Sequence, residues 1–223
     1  MRTPNTHTMA ATLCAVGIAF ASSDCALTSK ADLVDIRYFS PERVKPRSDG
    51  EGANVAPAPA VSDGALQLRL GRVSSGPNLR ERIAYRDTTY ELGYYEELRW
   101  TERPETYVRR QLGRSLFETH GMRRALDGAA PTLDVEVVAF DELRIAKGRA
   151  AQVQLKVILY DDNGVIFEDS LSVESPIAGA APKIEDVVAA MAAALDAAAD
   201  LVSGKVHKAL QPKASATASA SSP

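Results

Sequence analysis

The sequence predicts a single α+β domain in which an antiparallel sheet carries two amphipathic helices packed on one face. Three observations support this fold class. Residues 132–174 alternate apolar and polar side chains, as the strands of a half-buried sheet do. Residues 104–117 and 184–210 instead repeat apolar side chains every three or four positions, which is typical of amphipathic helices. The length of 223 residues, 45% of them hydrophobic, suits one folded core.

The composition excludes several classes of protein. Lys and Arg number 26 against 29 Asp and Glu, a net charge of −3, whereas nucleic-acid-binding domains are strongly basic. Two cysteines and three histidines are too few for a disulfide framework or a Cys- or His-rich metal centre. The sequence contains neither a nucleophile elbow nor a phosphate-binding loop. We therefore predict a non-catalytic protein without metal, non-covalent cofactor or nucleic-acid partner.

The N-terminus has the features of an export signal. The apolar and small residues at 9–21 have the length of a signal-peptide core and are too short to span a membrane. Cleavage directly after this run is one interpretation; cleavage before Cys25, which then carries acyl chains, is the other. Because Cys14 leaves with the signal, Cys25 would be a lone cysteine in an exported chain, which favours a lipid anchor. We predict a signal peptide over residues 1–24 and lipidation of Cys25, although lipoprotein signals usually place a small residue where Asp24 stands.

The start of the mature chain divides into a tether and the beginning of the domain. Residues 25–34 are predicted to be a tether, and the domain is predicted to occupy residues 35–210. Its first strand is expected at 35–41. A flexible loop is expected at about 46–64, which is rich in Pro, Gly and Ala and has no periodicity. The alternation that begins at Leu66 predicts the next strand.

The aromatic segment that follows is the most unusual part of the chain. Ile83 and Tyr85 belong to one predicted strand, and residues 87–89 to a turn. The next strand is expected to carry five apolar residues on one side, interrupted by Glu96, namely Tyr90, Leu92, Tyr94, Leu98 and Trp100.

A helix is predicted to begin at Pro104, which suits a first turn, and to stop at Gly121. Its arginines 109, 110 and 114 lie largely off the apolar stripe. We interpret this helix as packing on the core with a solvated basic face; contact of that face with lipid headgroups or an acidic partner is the alternative.

The second half of the chain predicts a meander closed by a helix. The residues 161–164, Asp-Asp-Asn-Gly, indicate a hairpin turn rather than a calcium loop, which needs ligands spread over about twelve residues. The apolar face of the meander is expected to be covered by the helix at 184–210, whose acidic first turn and basic last turns agree with the helix dipole. The low-complexity tail at 211–223 is predicted to be disordered.

The segment at 82–118, RIAYRDTTYELGYYEELRWTERPETYVRRQLGRSLFE, resembles the ABC-type transport auxiliary lipoprotein family, the PqiC-like proteins. The resemblance extends over roughly residues 25–210. It is carried by Cys25 followed by RYFSP at 37–41, and then by Tyr85-Arg86, Tyr94-Tyr95, Trp100, Glu102 and Pro104.

This resemblance implies an accessory role in a cell envelope. Membership of this family would make the chain a non-catalytic lipoprotein. It would work with an MCE-domain protein and with the permease and ATPase of an ABC transporter to move lipids, phospholipids among them. The resemblance also implies a periplasmic, lipid-anchored location at the outer membrane of a Gram-negative cell. Ala26 after the cysteine is compatible with sorting to that membrane. A tethered periplasmic lipid carrier and an outer-membrane assembly lipoprotein remain the alternatives.

The aromatic segment then supplies candidate docking residues. Such aromatic side chains usually pack in cores, but exposed Tyr and Trp dominate protein interfaces. The residues that we expect to contact the MCE partner, with arginines at the rim, are Arg86, Tyr94, Tyr95, Arg99 and Trp100.

Overall fold

The computed structural model of the chain describes residues 35–42, 66–126, 128–145, 148–179 and 181–220, with side chains up to Gln211 except at Ile145. The predicted signal peptide, Cys25, the tether and the loop at 46–64 lie outside these residues. Asp35–Pro223 form one compact unit with its own core. Its eight strands and two α-helices confirm the α+β fold class. The elements are β1 (Arg37–Phe39), β2 (Gln67–Ser75), β3 (Arg82–Arg86), β4 (Gly93–Trp100), α1 (Pro104–Gly113), β5 (Arg123–Arg124), β6 (Thr132–Ile145), β7 (Gly148–Asp161), β8 (Gly164–Pro176) and α2 (Ile184–Ala220).

Strand β6 organises the sheet. One edge of β6 pairs antiparallel with β7 along the whole strand, and β7 pairs antiparallel with β8. The other edge pairs in parallel with β2 at the start of β6 and with β3 near its end. Strand β5 extends the sheet beyond β2, whereas β4 and then β1 extend it beyond β3. Two groups of strands therefore lie at opposite ends of β6.

The sheet is mixed, which corrects the predicted antiparallel arrangement. The prediction holds for β6–β7–β8 and for β3–β4, but β2 and β3 run parallel to β6. Between β3 and β6 the chain passes through β4 and α1, and a connection of this length allows β6 to run in the same direction as β3. Side-chain alternation reports which face is buried and carries no information about the direction of the neighbouring strand.

The predicted hairpin turn is present. Asp161 pairs with Gly164, so Asp162 and Asn163 form a two-residue loop between β7 and β8. Gly164 has a φ of 124°, a conformation that favours glycine. The turn sequence thus sets the register of the hairpin, as two-residue loops do.

Helices α1 and α2 cover one face of the sheet. Helix α1 begins at Pro104 as predicted, continues as a π-helical segment over Arg114–Thr119, and is followed by Gly121 at a φ of 64°. The buried cluster between the layers combines residues of the sheet and of both helices, including Leu68, Val137, Leu155, Leu159, Leu112, Met191, Leu195 and Val202.

Helix α2 is longer than predicted. It begins at Ile184 as expected and continues to Ala220, past the predicted end at Leu210. Alanine is the strongest helix former, so an alanine-rich tail of low complexity does not by itself oppose a helix. Lys205 in α2 bonds Asp169 in β8 at 2.8 Å and ties the helix to the edge strand.

One part of α2 has a length and composition that would suffice to cross a membrane. This part is Ile184–Gln211, and 56% of its apolar window is buried inside the domain. Because α2 packs on β7 and β8, its apolar composition is accounted for by the core.

Candidate functional site

The predicted docking residues lie around β3, β4 and the end of β6, and Trp100 lies deepest. Only 1% of Trp100 is exposed. Its ring meets the edges of Phe140 at 5.5 Å and Tyr107 at 6.3 Å between centroids. Tyr107 accepts a hydrogen bond from the backbone N–H of Glu102 at 3.0 Å and fixes the chain after the strand. Trp100 is therefore a core anchor, which corrects its assignment to a docking surface.

Tyr95 belongs to a buried charge network centred on Glu142. The Tyr95 hydroxyl donates to Glu142 Oε2 at 2.6 Å, and the Glu142 side chain has no exposed surface. Arg144 Nε lies 3.2 Å from the same oxygen, and Arg149 bonds Oε1. Burial and the hydrogen bond to the carboxylate raise the pKa of Tyr95. A carboxylate with two arginines and a phenol is a compensated buried charge, since each of its oxygens has a partner.

The aromatic rings complete this network. Tyr85 meets Tyr95 edge-on at 5.4 Å, and the Arg144 guanidinium lies 3.8 Å from the Tyr85 ring centre. Tyr85 pairs with Glu142 across the parallel β3–β6 ladder, which brings strand β4 and its Tyr95 within reach. A β-bulge at Val138, between two register positions of β6 and β7, shifts the alternation so that Glu142 follows Phe140 on the helix-covered face. We call Tyr85, Tyr95, Glu142, Arg144 and Arg149 the Glu142 network.

Asp141 carries a second buried carboxylate on the other face of the sheet. Its Oδ2 accepts from Arg86 Nε at 2.8 Å, and its side chain has no exposed surface. Oδ1 has no hydrogen-bond partner among the described residues. Burial raises the pKa of Asp141, and the bond to Arg86 opposes this increase. Arg86, predicted as a docking residue, is thus engaged in neutralising a buried acid.

An open cleft lies over this pair on the face of the sheet that the helices leave uncovered. Its volume is about 380 Å³, and its walls combine Arg86 with two threonines and two glutamines. The apolar part of the wall includes Val138, which is 40% exposed. The cleft is therefore lined by both polar and apolar side chains.

Tyr94 and Arg99, the remaining two predicted docking residues, are partly exposed. The Tyr94 hydroxyl donates to the Asn78 carbonyl at 3.0 Å, and the Arg82 guanidinium lies 5.0 Å from the Tyr94 ring centre. Arg99 donates to the carbonyls of Tyr95 and Leu98 at 3.1 and 2.9 Å. It therefore satisfies the backbone where the β3–β4 register shifts.

The register places two further side chains beside them. Arg99 lies opposite Arg82 on β3 and opposite Tyr38 on β1, which is 63% exposed. Neither arginine forms an ion pair with a described carboxylate. We call Tyr38, Arg82, Tyr94 and Arg99 the tyrosine–arginine surface. Tyr38 was not predicted, because its place beside Arg99 depends on the parallel β1–β4 pairing, which alternation does not reveal.

The aromatic strand also departs from the predicted one-sided pattern. Tyr90 lies before β4 in a turn and is 96% exposed, so it does not belong to the strand. The register shift between Arg82–Arg99 and Ala84–Tyr94 breaks the alternation, which allows Tyr95 and Leu98 both to pack against the core. Among the residues that the structure describes, no group of His, Cys, Asp and Glu has the arrangement of a metal site.

Residues 51–203 match the family described as ABC-type transport auxiliary lipoprotein component. The chain belongs to this family. An auxiliary component of this kind points to a non-catalytic role, an association with an ABC transport system and a membrane-associated place in the cell envelope. The resemblance found in the sequence is thereby confirmed.

Solved structures show the same fold as this auxiliary lipoprotein. A crystal structure from Xanthomonas campestris is 21% identical, has a TM-score of 0.63, and aligns over 80% of this chain and 99% of its own. The crystal structure of an uncharacterised protein is 13% identical with a TM-score of 0.57, over 77% of this chain and 99% of its own. No curated protein matches the chain in sequence. At these identities the structural likeness shows the fold alone.

Proposed function

We propose that this auxiliary lipoprotein is a non-catalytic subunit of an ABC/MCE-type system that moves phospholipids across the periplasm. It is held at the outer membrane by acyl chains on Cys25 and docks with the MCE-domain protein, and through it with the permease and ATPase. The observation that carries this proposal is the family match over residues 51–203. The signal-like N-terminus that ends at Cys25 supports the anchor.

The tyrosine–arginine surface is the part of the domain that best suits docking. Tyrosine and arginine are enriched at the centres of protein interfaces because they combine apolar area with polar tips. Tyr38 and Arg82 are exposed, and the buried Glu142 network beneath β4 holds the strand that carries Tyr94 and Arg99. Because these side chains lie on a strand that the network holds in place, the tyrosine–arginine surface loses little conformational entropy when a partner binds.

The interface between sheet and helices gives no support to the alternative of a lipid carrier. A carrier would need an apolar groove between these layers. Leu155, Leu159, Met191 and Leu195 instead lie in one buried cluster and are at most 2% exposed. In the described part of the chain these layers are packed against one another, which argues against a lipid groove between them.

The anchor is tested by Cys25→Ala in cells that express the full chain. The acylated wild type should fractionate with outer membranes and incorporate labelled palmitate, and the variant should incorporate none. Because an uncleaved signal can itself hold a protein in the inner membrane, the label is the deciding observation. Equal incorporation by both proteins would show that Cys25 is not the acylated residue.

Docking is tested by capture of tagged protein from detergent-extracted membranes. The variant Tyr38→Ser/Arg82→Ala should recover at least about tenfold less MCE protein than wild type, since central Tyr and Arg residues often contribute 2 kcal/mol or more. Tyr160→Ser/Arg72→Ala is the matched control, because it also removes one exposed tyrosine and one arginine that has no described carboxylate partner. Equal recovery with both variants would place docking elsewhere on the domain.

A further inference from the structure

Three arginines lie in or beside strand β5, at the end of β6 that is away from the tyrosine–arginine surface. Arg123 and Arg124 form β5 itself and are exposed. Arg109, exposed on α1, donates to the Gly71 carbonyl at 2.6 Å and so lies against β2, the strand that pairs with β5. We call Arg109, Arg123, Arg124 and the neighbouring Leu126 the arginine collar.

The collar arginines differ in their ion pairing from Arg110 on α1 and from Arg114 in the π-helical segment that follows it. Arg110 bonds Glu42 and Glu102, and Arg114 lies 3.5 Å from Glu42, so these two charges are compensated. No described carboxylate bonds a collar arginine: Arg109 reaches a carbonyl, and Arg124 lies 4.4 Å from the centre of the Phe117 ring. Asp127, the next residue after Leu126, lies outside the described residues.

Leu126 adds an apolar element to this basic edge. It is 85% exposed, among the largest exposures of an apolar side chain in the described chain. Arginine forks bind phosphate oxygens in pairs, and an exposed leucine beside them can enter the boundary between headgroups and acyl chains. An acidic protein would satisfy the arginines but would gain little from an isolated apolar tip.

We infer that the arginine collar binds the anionic phosphate headgroups of a membrane surface, with Leu126 inserted among them. This contact goes beyond the proposed function, because it needs neither acylation of Cys25 nor a transporter partner. The net charge of −3 does not prevent it, since charges more than about 10 Å away are screened at physiological ionic strength. The contact would fix the orientation of the domain on a membrane.

The test uses the unit Asp35–Pro223, which has its own core. Both cysteines of the chain, Cys14 and Cys25, come before this unit, so lipidation and the signal play no part. Its binding is measured by co-sedimentation with vesicles of phosphatidylcholine alone or with about a third phosphatidylglycerol. Binding is expected to the anionic vesicles only and to disappear at 0.5 M salt, roughly three times physiological ionic strength. The change Arg123→Gln/Arg124→Gln should weaken it roughly tenfold or more.

Arg80→Gln/Arg103→Gln removes the same charge from exposed arginines outside both the collar and the tyrosine–arginine surface and should leave binding within about twofold of wild type. A thiol-reactive dye on Leu126→Cys, the sole cysteine of this unit, should shift its emission to the blue with anionic vesicles. Equal binding to neutral vesicles, equal loss in the control, or an unshifted dye would overturn the inference. Failure here leaves the capture of an MCE protein unaffected, so the two proposals are tested separately.

Discussion

The hydroxyl of Tyr95 donates a hydrogen bond of 2.6 Å to Glu142, a carboxylate whose side chain has no exposed surface. These residues are 47 positions apart and lie on β4 and β6, strands that are joined through β3. The bond therefore fastens the outer strands of the tyrosine–arginine surface to the centre of the sheet.

Removing this hydroxyl should destabilise the domain. Tyr95→Phe keeps the ring but leaves Glu142 with one partner fewer, and a hydrogen bond to a charged group contributes about 1.5–3 kcal/mol. We expect the free energy of unfolding in urea to fall by about 1–2 kcal/mol. Tyr90→Phe is the control, because Tyr90 is 96% exposed and should change stability by less than about 0.5 kcal/mol. Equal effects of the two variants would mean that the buried bond contributes nothing.

The buried Asp141 should make stability depend on pH. Burial holds the pKa of this carboxyl in the folded state above the ordinary value of 3.8, so the folded state binds a proton more tightly than the unfolded state. Below pH 3.8 the Asp141 carboxyl is protonated in both states and does not lower the free energy of unfolding. As the pH rises from there through the folded-state pKa, ionisation of the buried carboxyl lowers the free energy of unfolding. Wild type should lose stability relative to Asp141→Asn between pH 4 and pH 7, measured by urea unfolding of both proteins in parallel. A relative gain over this range would mean that the bond to Arg86 outweighs burial.

Two glycines should respond to alanine in opposite directions. A Cβ on Gly93 would lie 2.5 Å from the Tyr85 ring, so Gly93→Ala must displace that ring from Tyr95. A Cβ on Gly204, inside α2, meets nothing nearer than His120 at 4.0 Å. Gly204→Ala should thus raise the thermal midpoint, by the roughly 0.5–1 kcal/mol that alanine gains over glycine in a helix, and Gly93→Ala should lower it. The same sign for both variants would contradict the contacts described around Tyr85.

Trp100 reports on its own position because it is the one tryptophan of the chain. At 1% exposure, its fluorescence should be blue-shifted, resistant to iodide quenching, and red-shifted on unfolding in urea. Strong quenching of the native protein by iodide would show that Trp100 lies at the surface and would restore it as a docking candidate.

Much of the fold follows from periodicity, because alternation and helical spacing report directly on buried faces. The β6–β7–β8 meander and the start of α1 at Pro104 could be predicted in this way. The parallel pairing of β1 with β4 could not, and it places Tyr38 beside Arg99. The bulge at Val138 could not be predicted from the alternation either, and it places Glu142 on the helix-covered face. The candidate site depends on such long-range registers, so the aromatic segment indicated its neighbourhood but not which side chains are exposed.

Capture of partners by the wild-type full chain tests whether this lipoprotein works with an ABC/MCE-type transporter. Tagged protein, expressed at its natural level and extracted from membranes in mild detergent, would be purified and its partners quantified by mass spectrometry. An untagged strain serves as the control. We expect an MCE-domain protein and an ABC permease and ATPase to be enriched together over this control. Efficient recovery of the tagged protein without any ABC transporter component would contradict it.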